Sequence, residues 1–509
     1  MASTAEADPF RDPSLSHLNP PPTRQEEPSS TLAAGKNASF TLGTDSLIVL
    51  DEGLLDKKWN CCGIASSKNK TTRSIPFFNI LWAELVDDEI TIHYAESIGK
   101  EKVRAAYLNY ELEKSDTTFI NNWIERLLDR AYGASQRRKR IKVLVNPFGG
   151  KGSAQKLYHK HISPIFTASR CEIDVEKTQY SGHAVEIAAE SLDTEAYDVI
   201  ACCSGDGVAH EVFNGLAKKK DAARALAKVA VVQLPCGSGN AMSLNLNGTA
   251  SPSLAALAVV KGLRTPLDMV SITQGDKRTM SFLSQSVGIV AECDLATEHL
   301  RWMGSARFTY GFLVRLIGKT IYPADIAIKF EHETKKDICA VYSAEAAKSP
   351  PTHDDRPVPS PDIGLPELKY GTINDPLPEG WLLTSHDKLG NFYAGNMAYM
   401  SSDANFFPAA LPSDGCMDLV RIDGNVKRTT GIKTLLAVEN HTFFDLPHVN
   451  YSKISAYRII PKNQAQGYIS IDGERVPFEP FQAEVHRGLG TVLSRTGHLY
   501  EARGPMQRS

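Results

Sequence analysis

Three short stretches of the chain carry residues whose types and order suit the handling of a phosphate group. They are Asn146-Pro147-Phe148-Gly149-Gly150-Lys151-Gly152-Ser153, then Ser204-Gly205-Asp206-Gly207, then Pro235-Cys236-Gly237-Ser238-Gly239-Asn240. Glycine lets backbone N–H groups approach phosphate oxygens with no Cβ in the way, and it tolerates positive φ. Lys151 adds a compact full charge for the same oxygens. The second stretch sets a carboxylate, Asp206, between two glycines. A carboxylate so placed can take the proton of an attacking hydroxyl, hold Mg2+ through a bound water, or simply make an Asp-Gly turn. One glycine-rich turn is an ordinary connector; three in succession, each with polar side chains, are not.

Each stretch leaves an apolar run of strand character: Ile141–Val145, Asp198–Cys203 and Val229–Leu234. Helical patterns follow, the second from about Val208. This alternation predicts an α/β nucleotide-binding domain over 138–275, built on a parallel sheet with crossover helices. The loops then lie at the carboxyl ends of the strands, where open α/β sheets bind ligands. Helix starts behind them add partial positive charge, so Asp206 is expected to be exposed and ionised. Two nucleotide motifs do not fit. A P-loop needs glycine at 145 and Ser or Thr at 152, where Val145 and Gly152 stand; a dinucleotide fingerprint needs glycine where Gln155 stands.

The ordered set Asn146–Gly152, Ser204–Gly207 with His210-Glu211 and Asn214-Gly215, and Pro235–Asn240 resembles the diacylglycerol-kinase catalytic fold. Within it the chain is most similar to the sphingosine, or long-chain-base, kinases. The resemblance covers about 138–500, and one departure is Cys236, where alanine is common. It implies ATP and Mg2+ as cofactors, Asp206 as general base, and a sphingoid-base lipid as substrate. ATP positions implied are Asn146, Pro147, Phe148, Gly149, Gly150 and Lys151, with Thr178, Ser181, Gly182 and Glu211. Gly237, Ser238, Gly239, Arg301, Arg307, Asp472, Gly473 and Glu474 complete that set. Substrate positions implied are Ser204, Gly205, Gly207 and Asp294. On residue type alone, Glu211 reads first as a solvated helix charge, Asp294 as a helix cap, and Asp472-Gly473 as a hairpin turn.

Asp294 bears on the choice of lipid. A sphingoid base carries an ammonium that a carboxylate can pair with, whereas ceramide and diacylglycerol lack it. The competing readings are a ceramide or diacylglycerol kinase, or a catalytically silent lipid-binding protein. Phe308, Phe312, Leu313, Leu316 and Ile317 at helical spacing, with Phe406 and Phe407, could line an apolar slot for the tail.

The remaining organisation is read from composition. Residues 1–40 hold Pro9, Pro13, Pro20, Pro21, Pro22 and Pro28 among polar residues, which predicts a disordered tail. Short strands and one amphipathic helix over 41–134 predict a pleckstrin-homology-like module that tunes localisation rather than chemistry. Residues 276–505 predict an antiparallel β-rich lipid-binding domain, with a proline-rich surface insertion between two strands at 345–380. Lys and Arg total 56 against 59 Asp and Glu, a net charge of −3, which argues against a nucleic-acid partner. No apolar run approaches the ~18–20 residues of a membrane span, and the N-terminus lacks signal-peptide character. Nine scattered cysteines read as reduced thiols. The expected location is therefore cytoplasmic, with peripheral membrane contact through Arg137-Arg138-Lys139-Arg140, acylated Cys61-Cys62 or the N-terminal module.

Overall fold

Period-two alternation of apolar residues starts directly after Pro28, and strands start with it. The computed structural model describes residues 30–505, apart from 36, 52–71, 113–115, 151, 298–299, 301–305, 319, 352–353 and 355. Strands β1 (Thr31–Ala34), β2 (Ala38–Leu42), β3 (Ser46–Asp51) and β4 (Thr72–Pro76) form one antiparallel sheet. Strands β5 (Ile80–Val86), β6 (Glu89–Ile98) and β7 (Lys102–Glu111) form another. The helix Thr117–Tyr132 closes the module, its first turn capped by the Asp116 carboxylate, which accepts the Thr118 N–H. The module thus begins near 30 rather than 41. Leu32, Ala34, Phe40 and Leu42 alternate into its core, a pattern hidden when 1–40 is averaged as one proline-rich stretch. Residues 1–29 lie outside the described residues.

The catalytic layer is a parallel sheet of β8 (Arg140–Val145), β9 (Glu172–Lys177), β10 (Val199–Ser204) and β11 (Ala230–Pro235), in the order β11-β10-β8-β9. The two central strands are apolar almost throughout, as strands covered on both faces must be. One hydrophobic core runs from the N-terminal module through Val143, Phe166, Val232 and Val259, so the module is packed onto this layer.

The third layer is an eleven-stranded antiparallel sheet. It contains β12 (Leu263–Gln274), β13 (Lys277–Ser281), β14 (Ser284–Gly288), β15 (Ala324–His332), β16 (Thr384–His386) and β17 (Leu389–Gly395). It is completed by β20 (Met417–Asp423), β21 (Asn450–Pro461), β22 (Ile469–Ile471), β23 (Glu474–Val476) and β24 (Phe481–Ser494), while β18 (Tyr399–Ser401) and β19 (Ala404–Asn405) form a separate ribbon. Strand β12 pairs with β13 and β24, so the antiparallel layer begins near 263, ahead of the expected 276. The proline-rich insertion follows the helix Lys335–Ala346 rather than a strand. It is tied to the sheet: Lys369 and Tyr370 N–H donate to Glu484 (2.9 and 3.0 Å), and Arg458 donates to the carbonyls of Thr372 and Asp375 (both 3.0 Å). Among the described residues no helix is long and apolar enough to cross a membrane.

Candidate active site

The three glycine loops converge at the carboxyl ends of β8, β10 and β11, and they touch through backbone. A Cβ on Gly237 would stand 2.2 Å from Gly205 N, and one on Gly205 would stand 2.9 Å from Gly239 O. A Cβ on Gly150, whose φ is +60°, would meet Cys236 O at 3.1 Å. Asp206 N–H donates to Gly239 O, and Cys236 N–H to Ser204 O (both 3.2 Å). Only glycine permits contacts this close. The loops open onto one cavity of about 1340 Å3, which also reaches the antiparallel layer.

Asp206 begins the helix Asp206–Leu216, yet it is 9% exposed rather than open to solvent. Its Oδ2 and Oδ1 accept the N–H groups of Ala241 and Met242 (both 2.9 Å), the first turn of the helix Ala241–Asn247. The sequence pattern shows the helix Asp206 starts but not the second helix start that covers it. Burial pushes its carboxyl up to about 6, against the pull of those N–H bonds and helped by the charge of Asp472. A carboxylate in that range suits proton transfer near neutrality.

Neighbouring residues hold the loops. Asn146 Oδ1 accepts the Phe148 N–H (3.0 Å), and Phe148 projects outward, 73% exposed. Glu211, rather than being a solvated charge, accepts the N–H groups of Gly182 (3.0 Å) and Ala184 (3.1 Å), fixing the Ser181-Gly182 turn beside Thr178. Buried Gln233 staples the third loop: its Nε2 donates to Gly239 O (3.1 Å) and its Oε1 accepts the Ser243 N–H (3.0 Å). It escaped the sequence reading, although a lone amide inside Val-Val-Gln-Leu-Pro is itself a signal.

The C-terminal strands return to this site. Asp472 (φ +52°) and Gly473 (φ +84°) form the two-residue turn between β22 and β23. The Asp472 carboxylate faces the protein. It accepts from Ser281 Oγ (2.6 Å) and from the N–H groups of Phe282, Leu283 and Ser284 (2.9–3.0 Å), and lies 2.8 Å from His210 Nδ1. Burial pushes Asp472 up, but the His210 bond and charge and the Ser281 and Ser284 donors outweigh it and hold the carboxyl below its ordinary range. Asp472 is thus a clasp, and it also lines the cavity. Gly473 and Glu474 line the cavity, and a Cβ on Gly207 would meet Glu474 Oε1 at 3.2 Å.

Residues 140–272 match the family model described as the diacylglycerol kinase catalytic domain, and 30–133 match a domain of unknown function (DUF7493). Over 439 residues the chain is 34% identical to sphingoid long chain base kinase 4 of Schizosaccharomyces pombe, covering 85% of this chain and 90% of that one. The chain belongs to the sphingoid long-chain-base kinase family. It is also 37% identical over 431 residues to sphingoid long chain base kinase 5 of Saccharomyces cerevisiae, covering 74% of this chain and 62% of that relative, less than two thirds of its length. A crystal structure of a diacylglycerol kinase from Bacillus anthracis str. Sterne aligns at TM-score 0.49 and 16% identity, covering 71% of this chain and 99% of that one.

In this family member the cavity extends from the loops to Phe312, Met400, Phe406, Leu435 and Val438. Phe312 faces the cavity from the helix Ala306–Ile317, while Leu313 on the same helix is exposed. Phe406 lines the cavity; Phe407 does not, being fully buried against Gly395. Leu435 and Val438 come from the helix Arg428–Glu439, which the sequence reading left out. Asp294 and Arg307, expected on different substrates, pair with each other through Oδ1 and Nη2 (2.9 Å). Lys151, Arg301 and Cys61-Cys62 lie outside the described residues.

Of the basic run at 137–140, Lys139 is spent inside the fold. Lys139 is 2% exposed and donates to Ser135 Oγ, Gln136 O and Val260 O (2.7–2.9 Å). Arg137 pairs with Glu125 and Asp129, Arg138 lies over the Trp82 ring, and Arg140 pairs with Asp198. Seven cysteines among the described residues are free thiols.

Proposed function

We propose that the chain transfers the γ-phosphoryl group of ATP to the primary hydroxyl of a sphingoid long-chain base, with Asp206 as general base. The observation that carries this reading is the interlocking of three glycine loops around a buried carboxylate, in a cavity that continues into an apolar arm. The loops meet at backbone distance at Gly150, Gly205 and Gly237 and line one cavity, which suits the phosphate tail of a nucleotide. Among the described residues no cluster of three or more His, Cys, Asp or Glu forms a metal site. Asp206 and Glu474 are the carboxylates beside the loops that would face the cation accompanying ATP.

The lipid hydroxyl gives its proton to Asp206 as its oxygen bonds to the γ-phosphorus and the bond to the ADP oxygen breaks. Each Asp206 oxygen accepts one N–H, so lone pairs remain for that proton. The ammonium of the base meets the Asp294 carboxylate, while Phe312, Met400 and Phe406, which line the same cavity, receive the chain. Tyr310, Leu313 and Val314, with Ile432 and Leu436 on the adjoining helix, are exposed apolar residues. They support an enzyme that meets its lipid at a membrane surface. Two sheets closed by one helix support a pleckstrin-homology-like reading of the N-terminal module.

The test offers radiolabelled ATP with sphinganine, ceramide or diacylglycerol to wild type and Asp206→Asn. Label is expected on the long-chain base, and Asp206→Asn is expected to bind ATP while losing about 10²–10⁴ in kcat. Equal labelling of ceramide would refute the substrate, and undiminished turnover by Asp206→Asn would refute the base.

A further inference from the structure

The cavity that holds the glycine loops is not built by the catalytic layer and the antiparallel layer alone. Lys102, the first residue of β7 in the N-terminal module, lines it too. The turn that joins β6 to β7 is short, with Ile98 opposite Lys102. It is clamped to the catalytic layer by the Val103 N–H, which donates to Ser253 Oγ (3.1 Å) in a buried contact. Ser253 belongs to the helix Pro252–Lys261, and Ser251–Ser253 line the same cavity. Leu157 and His161, on the helical stretch that follows the first glycine loop, line it as well. His161 lies within the field of Lys102: burial, Lys160 and Lys102 together hold its imidazole below the ordinary range.

The placement is rigid. Lys261, at the end of that helix, is buried; its Nζ donates to Ile80 O and Ala131 O and sits 3.5 Å from the centre of the Tyr132 ring. All three partners belong to the N-terminal module. With the shared hydrophobic core, these bonds fix the β6–β7 turn to the helix that flanks the loops.

Charge gives the placement meaning. The cavity is lined by seven carboxylates, but its fixed cations among the described residues are Lys102 and Arg307. Arg307 is paired with Asp294, whereas Lys102 makes no ion pair among the described residues. A ligand with several negative charges entering so acidic a cleft needs positive charge at its walls.

We propose that the N-terminal module is part of the nucleotide site, Lys102 being a positioning residue that supplies positive charge to the phosphate tail of ATP. This rests on the kinase reading above and gives the N-terminal module a task in the nucleotide site. It also replaces the expectation that residues 41–134 act on localisation alone.

The experiment titrates ATP and adenosine into the full chain without lipid, for wild type, Lys102→Ala, Lys102→Glu and Lys102→Arg. Thermal midpoints confirm that each variant is folded. Lys102→Ala is expected to weaken ATP about three- to fivefold, the worth of one partly screened charge contact. Lys102→Glu should weaken it further, Lys102→Arg should restore it, and adenosine should bind equally to all four. With lipid present, the loss should fall on KM for ATP rather than on kcat. Wild-type ATP affinity in both Lys102→Ala and Lys102→Glu would overturn the proposal. A parallel loss of adenosine affinity would overturn it too, by showing a structural role. If wild type binds ATP but labels no long-chain base, the proposed substrate fails while the role of Lys102 is still read from binding.

Discussion

The guanidinium of Arg307 closes an ion pair on the carboxylate of Asp294 at 2.9 Å, and a second arm of the same guanidinium donates to the Asp294 carbonyl (2.9 Å). One residue was expected on the nucleotide and the other on the lipid head, so each is the other's partner before a substrate arrives. On the proposed reading, an entering ammonium takes over the carboxylate as the guanidinium turns to phosphate. Asp294→Asn should therefore narrow the preference for sphinganine over ceramide about fivefold or more, the cost of an unpaired polar group being ~1–3 kcal/mol. The ratio of kcat/KM for the two lipids measures it, and an unchanged ratio would count against the pairing.

The raised carboxyl of Asp206 gives a pH dependence with a definite sign. On the proposed reading Asp206 is the general base and must be ionised, and burial pushes its carboxyl up to about 6. With ATP saturating, kcat/KM for the lipid is expected to fall about tenfold per pH unit below that point and to level off above it. A profile flat from pH 5 to 7 would remove Asp206 from the rate-limiting proton transfer.

Asp472 and His210 should act on stability more than on chemistry. Asp472→Ala leaves His210 and the N–H groups of Phe282, Leu283 and Ser284 without their shared acceptor. Breaking a buried pair in this way costs about 3–5 kcal/mol. The His210 imidazole is held above its ordinary 6.5: burial lowers it, but Asp472 more than compensates. Its contribution is complete below 6.5 and fades as pH rises through the folded value. The Asp472 carboxyl is held below its ordinary 3.8, so its contribution is complete above 3.8 and fades as pH falls through the folded value. Denaturation of wild type and Asp472→Ala across pH should show the largest gap between about pH 4 and 6.5. A constant gap would mean the clasp is not ionic.

What was legible in the chain follows from how local each signal is. The glycine loops stand out because glycine, aspartate and strand ends are neighbours in sequence, and the parallel sheet follows from the apolar runs before them. The burial of Asp206 was not legible, since the helix that covers it starts 35 residues later, at Ala241. The clasp at Asp472 reads locally as a turn; its partners lie up to 262 residues away. Lys139 looks like one of four basic residues in a linker, and only folding sets its ammonium against Val260 O. The strands after Pro28 were masked by the prolines before them.

Glycine at 237 is a steric requirement, and two neighbouring glycines make a controlled comparison. A Cβ at 237 would lie 2.2 Å from Gly205 N and 2.4 Å from Gly205 Cα, both backbone atoms of the strand-end loop that carries Asp206. No side chain can turn away to relieve that overlap, so the second and third loops must separate. A Cβ at 149 would meet its nearest neighbour, Asn146 O, at 3.5 Å, an ordinary contact. Gly237→Ala is therefore expected to cost at least the ~1–3 kcal/mol of an overpacked core and to lower kcat/KM about 100-fold or more, because a displacement near 1 Å at reacting groups has that effect. Gly149→Ala should stay within a few-fold of wild type. Thermal melting and steady-state kinetics on both variants decide the matter: if Gly237→Ala turned over as fast as Gly149→Ala, close approach of the loops would not be what organises the site.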